Sequence, residues 1–278
     1  MARTADGRAL TEAHRLAQIR VGAQAEVAAR ALWPRLDVDD IDASVPMWMA
    51  ANLVVAERQH DASVAMAAAY LEEYQRAEVG RPVIPAGADF DAEEVRAMLL
   101  INGPNRVKAL INKGLTGPEA HAAAVTKYGG IVRRATMAGG RRTVDETARS
   151  DQRAVGWRRV TDGNPCTFCA MLASRGPIYG TQASTAGDVM RPTRGGGEGL
   201  RYHGHCGCTA EIVYGAWIPN ESELYAIDEY QRAAAQVDAL GLPRTERNIL
   251  PLMRANGVFK DSPVVRNKNL DFITDGEV

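Results

Sequence analysis

The sequence lacks several features by which large protein classes are recognised. It has no run of about 20 apolar residues, the length that a membrane-spanning helix needs. Its first residues hold no apolar core of the kind found in secretory signal peptides. Neither the G-x-x-x-x-G-K-S/T nor the G-x-G-x-x-G pattern of phosphate-binding loops occurs, and the net charge is only −1. We therefore expect a cytoplasmic protein with no membrane contact, no nucleotide-driven chemistry and no overall charge that favours nucleic acid.

Aromatic residues are also scarce, at 6% of the chain, and alanine supplies much of the 46% that is apolar. Sequences that are rich in alanine and poor in aromatics favour helix. Periodic apolar positions, separated by glycine and proline, predict that roughly the first 150 residues are all-helical. The approximate helices are 8–33, 44–79, 89–100, a short one from 105, 116–138 and 142–153.

The first predicted helix has an apolar stripe. Leu16, Ile19, Ala23 and Val27 recur at helical spacing and predict the face that is buried. His14 lies beside this stripe on a widened apolar side. It is predicted to be a core or boundary histidine with satisfied polar atoms, and not a ligand.

Two glycine pairs and three arginine pairs mark the end of the helical region. The glycines at 129–130 predict a weak point in the helix over 116–138, and those at 139–140 predict the break before 142–153. The arginine pairs are predicted to lie on solvated faces. They are at 133–134, 141–142 and 158–159.

The pattern changes after residue 150. Short segments that contain β-branched or aromatic residues predict three strands, with one helix after the first of them and a flexible loop over 181–200. The strands are predicted at 155–160, 177–179 and 209–214, and the helix at 166–174.

Two more helices are predicted near the end of the sequence. Asn220 caps one that ends at Gly241, and Thr245 starts a short one that Pro251 ends or kinks. The residues from about Phe259 onward hold little core-forming pattern, and we expect them to become ordered only against a partner.

Taken together, these segments predict an α+β fold that is predominantly α-helical. A helical region at 1–150 is followed by a small α+β module at 151–216 that its cysteines and histidines hold together. A helical extension occupies 217–278.

Cysteine is rare, but all four cysteines fall in two short segments. The first segment is a C-x2-C pair, and the second is an H-x-H-C-x-C cluster. Thiolate and imidazole are the ligands that structural zinc prefers, usually four in tetrahedral geometry. The predicted ligands are Cys166, Cys169, Cys206 and Cys208, with His203 or His205 able to replace one of the last two.

Two other states of the cysteines remain open. Disulfide pairing needs an oxidising compartment, which no secretory signal supports. Four free thiols are the third state. A metal ion would explain how a segment rich in loops, with three consecutive glycines at 195–197, holds one shape.

The residues around these cysteines resemble those of one known family. The motifs are D-G-x-x-C-x2-C at 162–169, S-R-G-x-x-Y at 174–179 and H-x2-C-x-C at 203–208. They resemble the Mu F-like minor head, or head-morphogenesis, proteins of tailed bacteriophages, in the form found in phages of actinobacteria. The resemblance covers about 150–215 and gives His205 less weight. The site that it implies consists of Cys166, Cys169, His203, Cys206 and Cys208.

The resemblance implies a virion component, present in few copies inside the capsid and found in the host cytoplasm during assembly. Such proteins associate with the portal, the scaffold or the major capsid protein, and some relatives are tied to DNA packaging or ejection. The helical region is then expected to dock on the portal or the capsid. Similar proteins are also labelled capsid maturation proteases.

A protease function is therefore one alternative. It needs a nucleophile, a base and an orienting group. The chain has neither a G-x-S-x-G nor an H-E-x-x-H motif, so no catalytic residue is assigned. The candidates in the module are Ser174 or Cys169 as nucleophile, His203 or His205 as base, and Asp162 or Asp188 as orienting group.

Contact with packaged DNA is a second alternative. Six arginines lie near the cysteines in sequence and could contact phosphates. Few aromatics lie between them, and the net charge is close to zero. The arginines are Arg158, Arg159, Arg175, Arg191, Arg194 and Arg201.

Overall fold

The computed structural model describes residues 2–161, 163–179 and 202–261. These residues form eight α-helices, a short 3-10 helix at Trp33–Arg35 and a two-stranded antiparallel sheet, which confirms the predicted fold class. None of these helices has both the length and the hydropathy that a membrane crossing requires. Both the predicted loop over 181–200 and the last residues, 262–278, lie outside the described residues. The elements are α1 (Ala5–Leu32), α2 (Ile41–Val79), α3 (Ala92–Asn102), α4 (Pro104–Ile111), α5 (Gly117–Ser150), β1 (Gly156–Val160), α6 (Thr167–Ala173), β2 (Thr209–Val213), α7 (Glu221–Ala239) and α8 (Glu246–Asn256).

Three long helices, α1, α2 and α5, pack against one another and form the body of the protein. Their first turns are capped by Thr4, Asp40 and Thr116, whose side chains each accept a hydrogen bond from a backbone N–H. Trp33 and Trp48 are buried at the centre of the largest apolar cluster, which α3 and α4 help to cover. The prediction that the first part of the chain is all-helical is confirmed.

Helix α1 buries a different face from the one that its apolar stripe predicts. Leu16 and Val27, which belong to the stripe, are 40% and 68% exposed. The buried face carries Gln18, whose Nε2 donates to the Ser63 carbonyl at 2.9 Å and whose Oε1 accepts from the Ser63 hydroxyl at 2.6 Å. Hydrogen bonds between buried polar groups allow such a face to pack, so apolar periodicity alone selects the wrong face.

Helix α5 runs unbroken through both glycine pairs, so the predicted break before 142–153 is wrong. The glycines mark places where other residues pack against the helix at close range. A Cβ atom on Gly139 would lie 2.8 Å from the His60 carbonyl oxygen, and one on Gly140 would lie 2.5 Å from Nε2 of Gln18. A helical glycine costs about 1 kcal/mol relative to alanine, but here it permits the contact with α1 and α2.

His14 is buried, as predicted, but the prediction that its polar atoms are satisfied is wrong. The ring stacks on Tyr70 with centroids 4.2 Å apart, and Nδ1 has no hydrogen-bond partner in the described part of the chain. Because burial disfavours the charged imidazolium, the pKa of His14 is lowered to about 3.

We expect the protein to lose stability as the pH falls from about 6.5 towards about 3. In this range the unfolded chain binds a proton at His14 and the folded chain does not, so protonation favours unfolding. His14 should contribute a slope of about 1.4 kcal/mol per pH unit. Urea unfolding at two pH values in this range measures the slope, and His14→Phe, which keeps an aromatic ring beside Tyr70, should reduce it. An equal slope in the variant would contradict the assignment to His14.

The sheet consists of β1 and β2 in antiparallel register, with Trp157 opposite Ile212. The strand predicted at 177–179 is only a single bridge, between Tyr179 and Trp157, so that prediction is wrong. A ladder bond runs from the Trp157 N–H to the Tyr179 carbonyl at 2.8 Å. Pro177 has no N–H to donate, which limits further pairing.

The helical region and the sheet share one apolar cluster. The Tyr74 hydroxyl of α2 donates to the Ile212 carbonyl of β2 at 2.7 Å. The Trp157 indole of β1 donates to Asp145 of α5 at 2.5 Å. The predicted domain boundaries at 150 and 216 remain a prediction. Because these contacts cross residue 150, we do not expect the parts on either side of it to unfold independently.

Arg158 holds α1, the sheet and α7 together through buried ion pairs. Its Nε lies 2.7 Å from Glu211 of β2, and Nη1 pairs with Glu223 of α7. Glu211 also accepts a hydrogen bond from Thr11 of α1 at 2.7 Å. All three charged side chains are almost inaccessible to solvent, so the prediction of a solvated face at 158–159 is wrong.

The C-terminal helices α7 and α8 pack on α6. Helix α8 continues through Pro251 to Asn256, so the proline does not end it. Phe259 is buried in the same cluster, which corrects the expectation that the chain has little core from that residue onward. Beyond it, the Lys260 N–H donates to the Pro165 carbonyl at 3.1 Å, next to the first cysteine pair.

Candidate metal centre

Two short segments bring the four cysteines together. Cys166 is the N-cap of α6, where its Sγ accepts from the Cys169 N–H at 3.4 Å, so the C-x2-C pair lies on one helical turn. Cys206 and Cys208 lie in the stretch that leads into β2, after a turn in which the Cys206 N–H donates to the His203 carbonyl at 3.3 Å. The pairing of β1 with β2 and the packing of α6 on β1 therefore place the two segments side by side.

The donor atoms form two groups that share Cys169. Cys166, Cys169 and His203 form one group and Cys169, Cys206 and Cys208 the other, with all donor atoms of a group within 4.8 Å of one another. All four cysteines lie in the described residues, and none forms a disulfide. The structure therefore brings together all five residues that the resemblance implies, in an arrangement that can hold a metal ion.

The spacing can be compared with a tetrahedral ion, taking zinc as the reference. With Zn–S distances of about 2.3 Å and Zn–N distances of about 2.0–2.1 Å, two sulfurs lie about 3.8 Å apart and a sulfur and a nitrogen about 3.6 Å apart. Sγ of Cys169 lies 3.5 Å from Sγ of Cys206 and 3.8 Å from Nε2 of His203, close to both values. Sγ of Cys166 lies only 2.9 Å from Nε2 of His203. The distances from Cys169 therefore fit an ion bound by that residue. Cys166 and His203 lie too close together for both to bind the same tetrahedral ion, so they compete for one position.

The thiols and the imidazole influence one another strongly. The pKa of Cys166 is lowered, chiefly by a hydrogen bond with the Cys169 side chain. At Cys169 the hydrogen bond with Cys166 raises the pKa, but those from Cys206, Cys208 and His203 outweigh it and lower the pKa to about 5. The hydrogen bond with Cys169 raises the pKa of His203 to about 9. The lowered pKa values favour the thiolate form at both Cys166 and Cys169.

Two arginines lie behind the site, on either face of one aromatic ring. The guanidinium carbons of Arg141 and Arg159 lie 3.7 Å and 3.8 Å from the centre of the Tyr202 ring. Nη1 of Arg159 also lies 3.9 Å from Sγ of Cys169. Both arginines are buried, so the prediction of solvated faces is wrong for them too, whereas Arg142 is half-buried and pairs with Glu94. Tyr202 and Arg141 were not predicted as site residues, and no sequence motif marks them.

His205 points away from the cysteines. Its Nε2 lies 3.0 Å from the Thr126 carbonyl oxygen and its Nδ1 lies 3.3 Å from Glu26, so the ring rests on α5 and α1. The residue has a φ of 60°, which is uncommon for residues other than glycine, although histidine adopts it more often than most. The lower weight that the resemblance gives to His205 agrees with this position.

The protease candidates are only partly brought together. The Ser174 hydroxyl donates to the Met171 carbonyl at 2.8 Å and Cys169 is buried, whereas Cys166 is half-buried and has His203 within 2.9 Å. Cys166 lies closer to His203 than Cys169 does, at 2.9 Å against 3.8 Å, and its thiol is the less buried, so Cys166 and His203 are the better-placed nucleophile–base pair in the described residues. Both proposed orienting groups, Asp162 and Asp188, lie outside the described residues.

The arginines considered for DNA contact are not one exposed patch in the described structure. Arg158 and Arg159 are buried and cannot reach phosphates. Arg175 is half-buried. The other three, Arg191, Arg194 and Arg201, lie outside the described residues.

The fold and the site define a class: a predominantly helical protein with a cluster of thiols and one imidazole that can hold a metal ion. The model of the VG15 protein family, a family of viral gene products, matches residues 5–236. The chain belongs to this family, and the match includes the three long helices and both cysteine segments. Comparison with curated proteins and with solved structures gives no match.

Proposed function

We propose that the chain is a minor head protein of a tailed bacteriophage, of the Mu F-like kind, and acts in prohead assembly at the portal or the capsid. Membership of a viral family supports the phage origin. The observation that carries the proposal is the meeting of the two motif segments: residues 166–169 and 203–208 are 34 or more positions apart and fold into one cluster. The expected partners are the portal protein and the major capsid or scaffold protein.

The site is proposed to bind one structural zinc ion. Three or four thiolates with an imidazole favour zinc over magnesium or calcium, which prefer oxygen ligands. The ion would link the start of α6 to the segment before β2. In structural zinc sites of this kind, binding free energy contributes directly to folding.

The role in the head is tested by locating the protein in the particle. Quantitative mass spectrometry of purified proheads, filled heads and tails should find it in the heads, in far fewer copies than the major capsid protein. A phage with a stop codon early in the gene should then produce few or no filled heads. Presence only in tails, or normal yields of filled heads without the protein, would contradict the proposal.

Capsid maturation proteolysis is a second candidate function, favoured by the distance of 2.9 Å between Cys166 and His203. If Cys166 attacks peptide bonds, Cys166→Ala should leave the major capsid or scaffold protein at full length in infected cells. Ser174→Ala is the control, because the Ser174 hydroxyl is engaged by the Met171 carbonyl and is not within the cysteine groups. Normal cleavage with Cys166→Ala would exclude Cys166 as the nucleophile.

We do not propose a DNA-contact function. Among the described residues, the arginines considered for it do not form an exposed cluster.

A further inference from the structure

We infer that helix α5 of the helical region is part of the metal centre, because Arg141 and Gly130 position the ligand segment at 203–208. The inference rests on the proposed metal site. It adds that metal binding at this site depends on Arg141 and Gly130, which lie outside the cysteine segments. Arg141 and Gly130 are positioning residues, since neither offers a donor atom to the ion.

Arg141 holds the second cysteine pair through its backbone. Its Nε donates to the Cys208 carbonyl at 3.0 Å, and its Nη2 donates to the carbonyls of Cys206 and Cys208 at 2.9 Å and 2.7 Å. Thus one guanidinium fixes the two peptide groups that carry two proposed ligands. The planar fork of donors suits this arrangement, and a lysine ammonium cannot reproduce it.

The charge of Arg141 also points to the metal centre. The side chain is buried, and no carboxylate lies within ion-pair distance of it in the described residues. A buried cation is costly without a compensating negative charge. A centre with three or four thiolates around a divalent ion carries a net negative charge, and Arg141 lies directly behind it.

Gly130 provides the surface on which the ligand turn rests. A Cβ atom on Gly204 would lie 3.2–3.3 Å from backbone atoms of Gly130, so the two backbones are in contact. A Cβ atom on Gly130 would lie 2.6 Å from Nε2 of His205, which itself lies 3.0 Å from the Thr126 carbonyl oxygen. Alanine at 130 would favour the helix but would force the His205 ring off its contact with α5, and this contact helps to hold the turn that carries His203 and Cys206.

The consequence is that metal affinity is set partly by the helical region. Partners that orient first-sphere ligands typically change metal affinity by about 10- to 100-fold when they are removed. We expect weaker zinc binding of that order for Arg141→Lys and for Gly130→Ala. A neighbouring substitution in α5 serves as the control: Arg142→Lys, at a half-buried arginine that contacts Glu94 and not the cysteine segments.

The test is a zinc competition titration of the full chain against a chromophoric chelator, with folding of each variant checked by circular dichroism. Arg141→Lys and Gly130→Ala should bind zinc more weakly than wild type, and Arg142→Lys should bind it as tightly as wild type. Adding His205→Gly to Gly130→Ala should recover part of the affinity, because glycine removes the ring that the new methyl group meets and tolerates the positive φ.

The outcomes separate the two claims. If wild type binds zinc and Arg141→Lys and Gly130→Ala bind it equally well, the inference about α5 is wrong and the metal site stands. If His205→Gly gives no recovery, the contact at Gly130 is not the cause of its effect. If wild type binds no zinc, the proposed site fails and the inference fails with it.

Discussion

Replacing Cys169 by serine is expected to abolish metal binding, whereas the same change at Cys166 should leave most of it. Cys169 belongs to both donor groups, so its loss leaves neither group complete. Cys166 has a substitute, because Nε2 of His203 lies 2.9 Å from its sulfur and 3.8 Å from that of Cys169. Cys169, Cys206, Cys208 and His203 then still provide three thiolates and one imidazole, a common structural zinc set.

Metal content of the purified variants, measured by inductively coupled plasma mass spectrometry, tests this order. We expect about one zinc per chain for wild type and for Cys166→Ser, and almost none for Cys169→Ser. Combining Cys166→Ser with His203→Ala should remove the metal, since both competitors are then absent. If Cys166→Ser lost as much zinc as Cys169→Ser, His203 could not replace Cys166 as the fourth ligand, and the proposed competition would be wrong.

Replacing Arg158 by methionine is expected to destabilise the whole chain by about 3–5 kcal/mol. The change leaves two buried carboxylates, Glu211 and Glu223, without the cation that both contact. Since Glu211 also accepts from Thr11 of α1, the loss should reach the helical region and not only the sheet.

Urea unfolding followed by circular dichroism measures this effect. Arg76→Met is a matched control, because Arg76 pairs with Glu72 and Glu73 on the surface of α2 and should contribute no more than about 1 kcal/mol. A second variant, Arg158→Met with Glu211→Gln and Glu223→Gln, should recover part of the loss, since it removes the uncompensated charges. A stability of Arg158→Met close to that of Arg76→Met would contradict the role given to the buried network.

The sequence predicts helices best where local signals agree. Asn220 is predicted as a cap, and its side chain accepts a hydrogen bond at the start of α7. Thr116, the predicted first residue of a helix, caps α5 in the same way. The clustering of the cysteines likewise made their meeting predictable, because few arrangements other than a common site explain four cysteines in two short segments. These features depend on neighbours in the chain, which a single sequence displays.

Features that depend on distant neighbours could not be predicted in this way. Gly130 resembled a weak point in a helix because its contact, His205, lies 75 residues away in the sequence. Arg158 resembled a surface residue because its two carboxylate partners come from β2 and α7. In both cases the tertiary contact overrides the local preference of the residue.

The positioning residues of the site illustrate the same limit. Tyr202 directly precedes the predicted ligand His203, and this adjacency alone could have marked it as a site residue. Arg141 could not, because the carbonyl groups that it binds carry no side-chain signal. The competition between Cys166 and His203 is also a matter of distance and not of spacing in the sequence.

The central claim is that the four cysteines and His203 form one metal site, and the most direct test is metal content together with a thiol count on the same sample. We predict about one zinc per chain and thiols that react with a colorimetric reagent only after unfolding and chelation. No bound metal in protein purified without chelators, with four thiols that react freely in the folded state, would contradict the claim. That result would leave Cys166 available as a nucleophile and move the protease hypothesis to first place.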